Sequence, residues 1–468
     1  MQTNDPFSIS KELSTAEFND KRLSKRLEKI AERTSRNPSL SFPKISGSDS
    51  VLESFYRFLG NPKVTPEKIL EPHIQATVQR ALKEKRVVVA HDRTEMLFGG
   101  KSRQEDLGST QQDNQGFFAH FCLALARGTL VRPLGVLGFE SVFREKGRKI
   151  PRESQRKIDP SRESLSWWNA IHRTENLFPL GVKPIHVADR EADDFDLFSD
   201  LIEQNIRFVI RVKHNRVCQT EACEKTKLYD LLSGSEVICG REINISKRNP
   251  NRLPGNTKRN PPRAARKATL KISGQRVNLV RPYIAGSDQK TAELNLVHVY
   301  EVNTPEGADP IDWKLYTREP ITCEQDVLNI VDDYRARWMI EELNKAVKTG
   351  CSYEKRQLES RESLLNALAL LIPIAWQLLL LRSVHRQLPD ASAECVLTKT
   401  QIEVLRGVSK REISDSPTVQ EALLAIAALG GHIRNNGSPG WQVLNSGLRD
   451  LLLMEIAWVA AKESVTQS

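Results

Sequence analysis

Three acidic side chains are the residues most able to carry chemistry in this sequence. Asp92 closes the β-branched run RVVVAHD (86–92) and Asp189 closes KPIHVAD (183–189). They are 97 residues apart (189 − 92), so only a fold can bring them together. An aspartate at the end of one strand says little by itself, because turns favour Asp. Two carboxylates at one point are different: they repel unless cations neutralise them. Mg²⁺ is the natural counter-ion, being hard, oxygen-loving and suited to phosphate chemistry. The third acid, Glu341, lies in YRARWMIEELNKAVK (334–348). At helical pitch, Tyr334, Arg337, Glu341, Lys345 and Lys348 fall within a sector of about 80°. Ala336, Met339, Ile340, Leu343, Ala346 and Val347 fall opposite and predict a face packed on a core. An exposed helix with a Glu341–Lys345 pair would account for the charges. It would not account for Tyr334 and Arg337 in line with them.

The elements that must hold these residues can be read from pattern. GFFAHFCLAL (116–125) and TLVRPLGVLGF (129–139) predict two strands after the first. SLSWWNAIHRTENL (164–177) predicts a helix, and 183–189 a fourth strand. ADDFDLFSDLIEQ (192–204) is helical, and RFVIRVKHN (207–215) is a fifth strand. The order β-β-β-α-β-α-β is that of a ribonuclease-H-like core, an α/β mixed sheet flanked by helices. In such a sheet the first and fourth strands are neighbours, which would bring Asp92 and Asp189 to one edge.

On either side of this core the texture changes. The first ~75 residues read as helices with a basic face, AEFNDKRLSKRLEKIAER (16–33) above all. Leu52–Leu59 predicts a short aromatic helix, and Thr65-Pro66-Glu67 starts another with Thr as N-cap. Residues 216–320 read as a β-rich insertion with strand-like pieces at 277–286 and 294–302. Within it, 241–270 carries nine Lys or Arg against one acid, Glu242, and reads as a mobile basic loop. From Ile321 onward the pattern is helical, with helices at 364–381, 396–406, 417–429 and 447–463, the last preceded by the turn-rich HIRNNGSPG (432–440). The expected domains are therefore 1–75, helical and DNA-binding; 76–370, catalytic, with the insertion at about 216–320; and 371–468, helical and apt for dimerisation.

Composition bounds the rest. Hydrophobic residues are 39% and charged residues 27% of 468, enough to bury a sizeable core. A net charge of +10 suggests a polyanionic partner. Seven scattered cysteines without a C-x-x-C pair give no sign of a zinc cluster or disulfide framework. The polar start MQTNDPFSIS has no secretory core. Leu364–Leu381 is uncharged but contains Asn366, Pro373 and Gln377, which favours a buried helix over a bilayer span. Gly100-Lys101-Ser102 fails as a P-loop because Glu95 stands where the first glycine should be, so no nucleotide cofactor is expected.

The spacing Tyr334-x2-Arg337-x3-Glu341-x6-Lys348 resembles the Y-R-E-K signature of the bacterial insertion-sequence DDE transposases, the group to which transposon-five transposase belongs. Further segments are similar in the same order. These are Tyr56-Arg57-Phe58 before Asn61-Pro62, Asp106-Leu107-Gly108-Ser109 leading to His120, Asp189-Arg190-Glu191-Ala192-Asp193, and Arg211-x-Lys213-His214. The resemblance covers most of residues 20–350; the last quarter matches only in helical character. It implies that Asp92, Asp189 and Glu341 are a catalytic triad binding two Mg²⁺ or Mn²⁺. Tyr334, Arg337 and Lys348 would grip phosphates, and Arg211, Lys213 and Lys345 would be further DNA contacts. Trp313, in DWKLYT, would stack on a flipped base during hairpin formation; a core tryptophan on a strand would read the same. The 152 residues between Asp189 and Glu341 (341 − 189) fit the family's inserted β-domain. The implied activity is cut-and-paste DNA transposition in the bacterial cytoplasm at the nucleoid. The implied partners are double-stranded transposon ends and target DNA and a second copy of the chain, with no membrane. Two other readings share the acids: another ribonuclease-H-like nuclease such as a resolvase, and a retired transposase that only binds DNA.

Overall fold

The computed structural model describes residues 9–99, 107–110, 114–128, 130–144, 165–220, 222–232, 234–248, 262–283, 285–409, 411–433 and 439–466. Asp106, the Gly100-Lys101-Ser102 fragment and the centres of the 241–270 and 432–440 stretches lie outside the described residues. The chain divides into two compact units, one of residues 1–149, 176–179 and 338–468, the other of 150–175 and 180–337.

The first unit begins with helices α1 (Ile9–Leu13), α2 (Lys21–Arg36), α3 (Phe42–Ser46), α4 (Asp49–Leu59) and α5 (Pro66–Ala81). Asp20 caps α2 by accepting from the Arg22 N–H at 2.9 Å. Leu27, Ile30, Ala31 and Thr34 form its buried face, while Lys21, Arg22, Lys25, Lys29 and Arg33 are exposed. Thr65 caps α5 with Pro66 at its first position, as the sequence predicted. Three antiparallel strands follow, β1 (Val87–Leu97), β2 (Gly116–Arg127) and β3 (Val131–Val142), with β2 in the middle. β2 is buried from Gly116 to Ala126, which explains its nearly continuous apolar run. Helix α5 packs on β3 so closely that a Cβ on Gly135 would lie 1.9 Å from the Thr77 hydroxyl.

β1 does not end at Asp92. It runs five residues further, because Arg93–Leu97 continue the ladder against Gly116–His120. Asp92 is thus a mid-strand residue, opposite Phe121.

The second unit contains α6 (Leu165–Glu175), β4 (Ile185–Ala188), α7 (Phe195–Glu203), β5 (Arg207–Arg211), β6 (Val217–Gln219), β7 (Lys225–Lys227), α8 (Leu228–Leu232), β8 (Val237–Ile245), β9 (Arg266–Val280), β10 (Thr291–Val302), β11 (Asp312–Thr317) and α9 (Glu324–Ala336). Its sheet is mixed: β4 and β5 are parallel, and β11, β10, β9, β6 and β7 follow antiparallel, with β8 also on β9. Its mostly aliphatic core contains an aromatic group, Phe198 stacking on Phe208 and meeting Tyr316 edge-on. Much of the stretch expected as a basic loop is ladder instead. Residues 241–245 pair with 266–270, and Arg248 bridges Arg263. The reason is alternation: Ile243, Ile245, Ala268 and Leu270 punctuate the basic residues at period two, which suits a strand.

The rest of the first unit is helical: α10 (Trp338–Lys345), a π-turn (Ala346–Gly350), α11 (Arg361–Gln387), α12 (Lys399–Val408), α13 (Val419–Leu429) and α14 (Trp441–Thr466). Capping boxes at Thr398/Gln401 and Thr418/Glu421 start α12 and α13. Helix α11 is long and apolar enough to cross a membrane, but 83% of its most apolar window is buried inside the protein. Its Trp376 donates to the Pro133 carbonyl of β3 at 3.1 Å.

Candidate active site

In the first unit the site is built from β1 and α10. Apolar Ile340 and Leu343 seat α10, followed by Ala346 and Val347 of the π-turn, all fully buried. This brings Asn344 to Asp92, whose Oδ2 accepts from Asn344 Nδ2 at 2.7 Å. Glu341 lies one turn earlier on α10 and is half-buried. Asn344 is 8% exposed, and its Oδ1 is buried without a hydrogen-bond partner. A buried amide oxygen left unsatisfied costs about 1–3 kcal/mol unless something else takes it up. Asp92 and Glu341 offer oxygen only, the donor set of Mg²⁺ or Mn²⁺ rather than of a thiophilic ion, and the Asn344 amide holds Asp92 in place. The residues therefore fit a hard divalent cation.

The neighbouring cations depart from simple helical spacing in two ways. Lys345 pairs with Glu342 at 2.8 Å, not with Glu341. Glu342 is buried, which pulls its carboxyl upward, but Lys345, Arg386 and Arg382 outweigh burial and hold it below the usual carboxylate range. Lys348 does not continue the α-helical sector. It sits in the π-turn, where Cys351 N–H donates to Ala346 O at 2.8 Å. Its ammonium donates to the Glu95 carbonyl and lies 3.8 Å from Glu354. Burial lowers its pKa; the charges of Glu354, Glu95 and Asp92 partly offset this.

In the second unit, Asp189 follows β4 and caps the short turn Arg190–Ala192, accepting from the Glu191 N–H at 2.9 Å. Asp193 is buried and plays a different part. It accepts from the backbone N–H of Lys213 at 2.6 Å and of His214 at 2.9 Å, and Arg216 grips its Oδ1 through Nε at 2.9 Å and Nη2 at 2.6 Å. It thereby shapes the loop after β5 and leaves Lys213 exposed. β5 stops at Arg211, so the last four residues of the strand predicted to run to 215 lie beyond it. Arg211 donates to the Asp312 carbonyl at 3.3 Å, and its guanidinium is 5.9 Å from the centre of the Trp313 ring. Trp313, half-buried on β11, meets Tyr334 edge-on at 5.4 Å. Tyr334 is 6% exposed, not on an open face as its sector suggested, because α9 packs it against that tryptophan. Arg337 follows α9 with helical dihedrals (φ −50°, ψ −34°) and is half-buried.

Sequence reasoning missed Asn344, Glu342 and the role of Asp193. The available signal was an amide and a second acid placed within one turn of Glu341.

Two family models match this chain: transposase DNA-binding over residues 8–64, and transposase DDE domain over residues 169–376. The protein is a DNA transposase of the DDE type. The first match spans α1 to α4, with the exposed basic side of α2; the second contains Asp189 and Glu341. As a DDE transposase it is a divalent-metal-dependent enzyme that cleaves and joins DNA strands. Among solved structures the transposase is similar to a piggyBac transposase synaptic complex with hairpin DNA. The identity is 11% over 81% of this chain and 73% of that one, with a TM-score of 0.35.

Proposed function

We propose that Asp92, Asp189 and Glu341 form one catalytic centre on a ribonuclease-H-like core, holding two Mg²⁺ or Mn²⁺ ions. The transposase would use it for cut-and-paste transposition: nicking at the transposon end, hairpin formation, hairpin opening and joining to target DNA. The observation that carries this reading is the oxygen-donor set of the first unit, where Asn344 grips Asp92 one turn from Glu341. When bound, the cations would activate the attacking oxygen and stabilise the leaving one. Asn344 takes one lone pair of the Asp92 carboxylate and so fixes its rotamer. Lys348 supplies a fixed positive charge beside Asp92 for a phosphate oxygen. Tyr334 and Arg337 would grip phosphates with it, as in the Y-R-E-K transposases. Arg211, Lys213 and Lys345 would contact DNA backbone, and Trp313 would stack on a base turned out of the helix. Residues 1–75 would read the transposon end, 76–370 would carry catalysis, and 371–468 would join two copies on DNA in a bacterial cytoplasm.

The deciding experiment is Asp189→Ala with labelled transposon-end DNA. End binding stays within about twofold of the parent, and Mg²⁺-dependent nicking falls by at least ~10³-fold, since each such carboxylate is asked for several kcal/mol. Nicking that persists in this variant removes Asp189 from the centre.

A further inference from the structure

On the other face of β1 from Asp92 lies a second group of metal-binding side chains, of opposite chemical character. His91 is directly opposite Cys122 on β2, and His120 is the next residue of β2 on that face, opposite Arg93. The alternation of the strands sends all three to one side and Asp92, opposite Phe121, to the other. All three are fully buried. His91 Nδ1 is 3.3 Å from His120 Nε2 and 3.6 Å from Cys122 Sγ, and one donor atom from each residue lies within 4.8 Å of the others.

We propose that His91, His120 and Cys122 form a binding site for a thiophilic divalent cation, Zn²⁺ above all. The two distances from His91 Nδ1 are those of a coordination sphere. Zn–N bonds of about 2.05 Å and a Zn–S bond of about 2.3 Å at tetrahedral angles put two nitrogens about 3.3 Å apart and nitrogen and sulfur about 3.6 Å apart. Without a cation the same spacings are bridged by hydrogen bonds among the two imidazoles and the thiol. The imidazole rings meet edge-to-face at 83° and are not stacked. Two imidazoles and a thiolate select Zn²⁺ over the Mg²⁺ that suits the carboxylates. As the metal–sulfur bond forms, the thiol proton passes to solvent and the thiolate cancels one of the two cation charges. Arg93, the nearby cation on that face, is turned toward the Phe118 ring, 5.1 Å from its centre.

Such a site would tie β1 to β2 one residue from Asp92. The transposase would then carry a structural cation and catalytic cations on opposite faces of one strand. The strand pair is a rigid frame, so the donors need little rearrangement. Because they are buried, the metal would enter as the chain folds.

The test uses full-length protein produced in minimal medium supplemented with Zn²⁺ or with Co²⁺. The parent should retain one equivalent of metal through dialysis against a weak chelator. The Co²⁺ form should show a near-ultraviolet sulfur-to-cobalt charge-transfer band. Cys122→Val, chosen to keep an apolar side chain of similar size, and His120→Asn should each remove that band and weaken Co²⁺ binding by at least ~100-fold, beyond what changes outside the ligand set cost. Thermal unfolding of the metal-free forms shows whether each variant is folded. Folded parent that retains no metal overturns the proposal, as does a charge-transfer band that survives in Cys122→Val. Transposition is not the readout, so failure here leaves the catalytic reading of Asp92 untouched.

Discussion

At the scale of single residues, the candidate centre turns on how a carboxylate is held before any cation arrives. Asn344 donates to Asp92 and keeps its own oxygen unsatisfied, so it positions the acid we propose as a metal ligand. Asn344→Leu keeps the volume and removes both polar atoms. The Mg²⁺ concentration for half-maximal nicking should rise roughly 10–100-fold, the usual cost of losing an outer-sphere partner, while end binding without metal is unchanged. An unaltered Mg²⁺ titration would remove Asn344 from this role. Asp193 makes the opposite kind of contribution. It is buried and paired with Arg216, so Asp193→Ala leaves a buried cation and should cost about 3–5 kcal/mol in urea unfolding. The same variant should expose the Lys213–Arg216 loop to trypsin; unchanged stability would mean that the loop holds itself. Asp189 and Glu341 could be singled out in the sequence because a strand end and helical spacing are local patterns; Asp92 was singled out by the β-branched run it closes, although its strand continues to Leu97. Asn344 could not, because its partner is 252 residues away and strand register decides which side chains meet.

At the scale of elements, the strands and helices of both units follow from apolar period and caps, and the main differences arise where period alone misleads. β1 outran its β-branched run because the ladder with β2 kept pairing. The helix expected over 334–348 changes to a π-turn at Ala346, which a 3.6-residue pattern cannot encode; such turns are frequent at functional sites. The link between α1, α5 and β3 was also invisible in sequence. His73 of α5 is fully buried, its Nδ1 next to Glu12 and its Nε2 accepting from the Val136 N–H at 3.0 Å. That acceptor role requires Nε2 to be unprotonated, and burial lowers the His73 pKa below 6.5. The unfolded chain therefore takes up the proton first. The stabilisation is complete above pH 6.5 and is lost as pH falls toward the lowered folded value. The urea midpoint of the parent should drop between pH 7.5 and pH 5.5, and His73→Gln should show a shallower drop from a lower start. Equal slopes in the two proteins would show that another group sets the acid sensitivity.

At the scale of the whole molecule, the net charge of +10 becomes a placed feature, since α2 exposes Lys21, Arg22, Lys25, Lys29 and Arg33 over the matched DNA-binding segment. The chain end carries the other exposed feature, an apolar one. Helix α14 is tied to α12 through Glu455, which accepts from Gln401 at 3.1 Å, and through Lys462, 2.9 Å from Glu403. Leu453, Met454, Trp458 and Val459 are left 46%, 37%, 43% and 40% exposed. Single exposed apolar side chains are ordinary, but four within seven residues of one helix are a patch with reason to be covered. If a second copy covers it, completing the burial of these half-exposed side chains contributes about 3–5 kcal/mol, or roughly 10²–10³-fold in the dimer dissociation constant. On that condition the parent should sediment as a dimer on end DNA, and the double variant Leu453→Glu, Trp458→Glu should stay folded, since neither side chain is in the core, and sediment as a monomer. Nicking would fall with dimer occupancy and recover as protein concentration is raised. A variant that remains dimeric at the parent's concentration would assign the copy-to-copy contact to another surface and leave the α14 patch with a different cover.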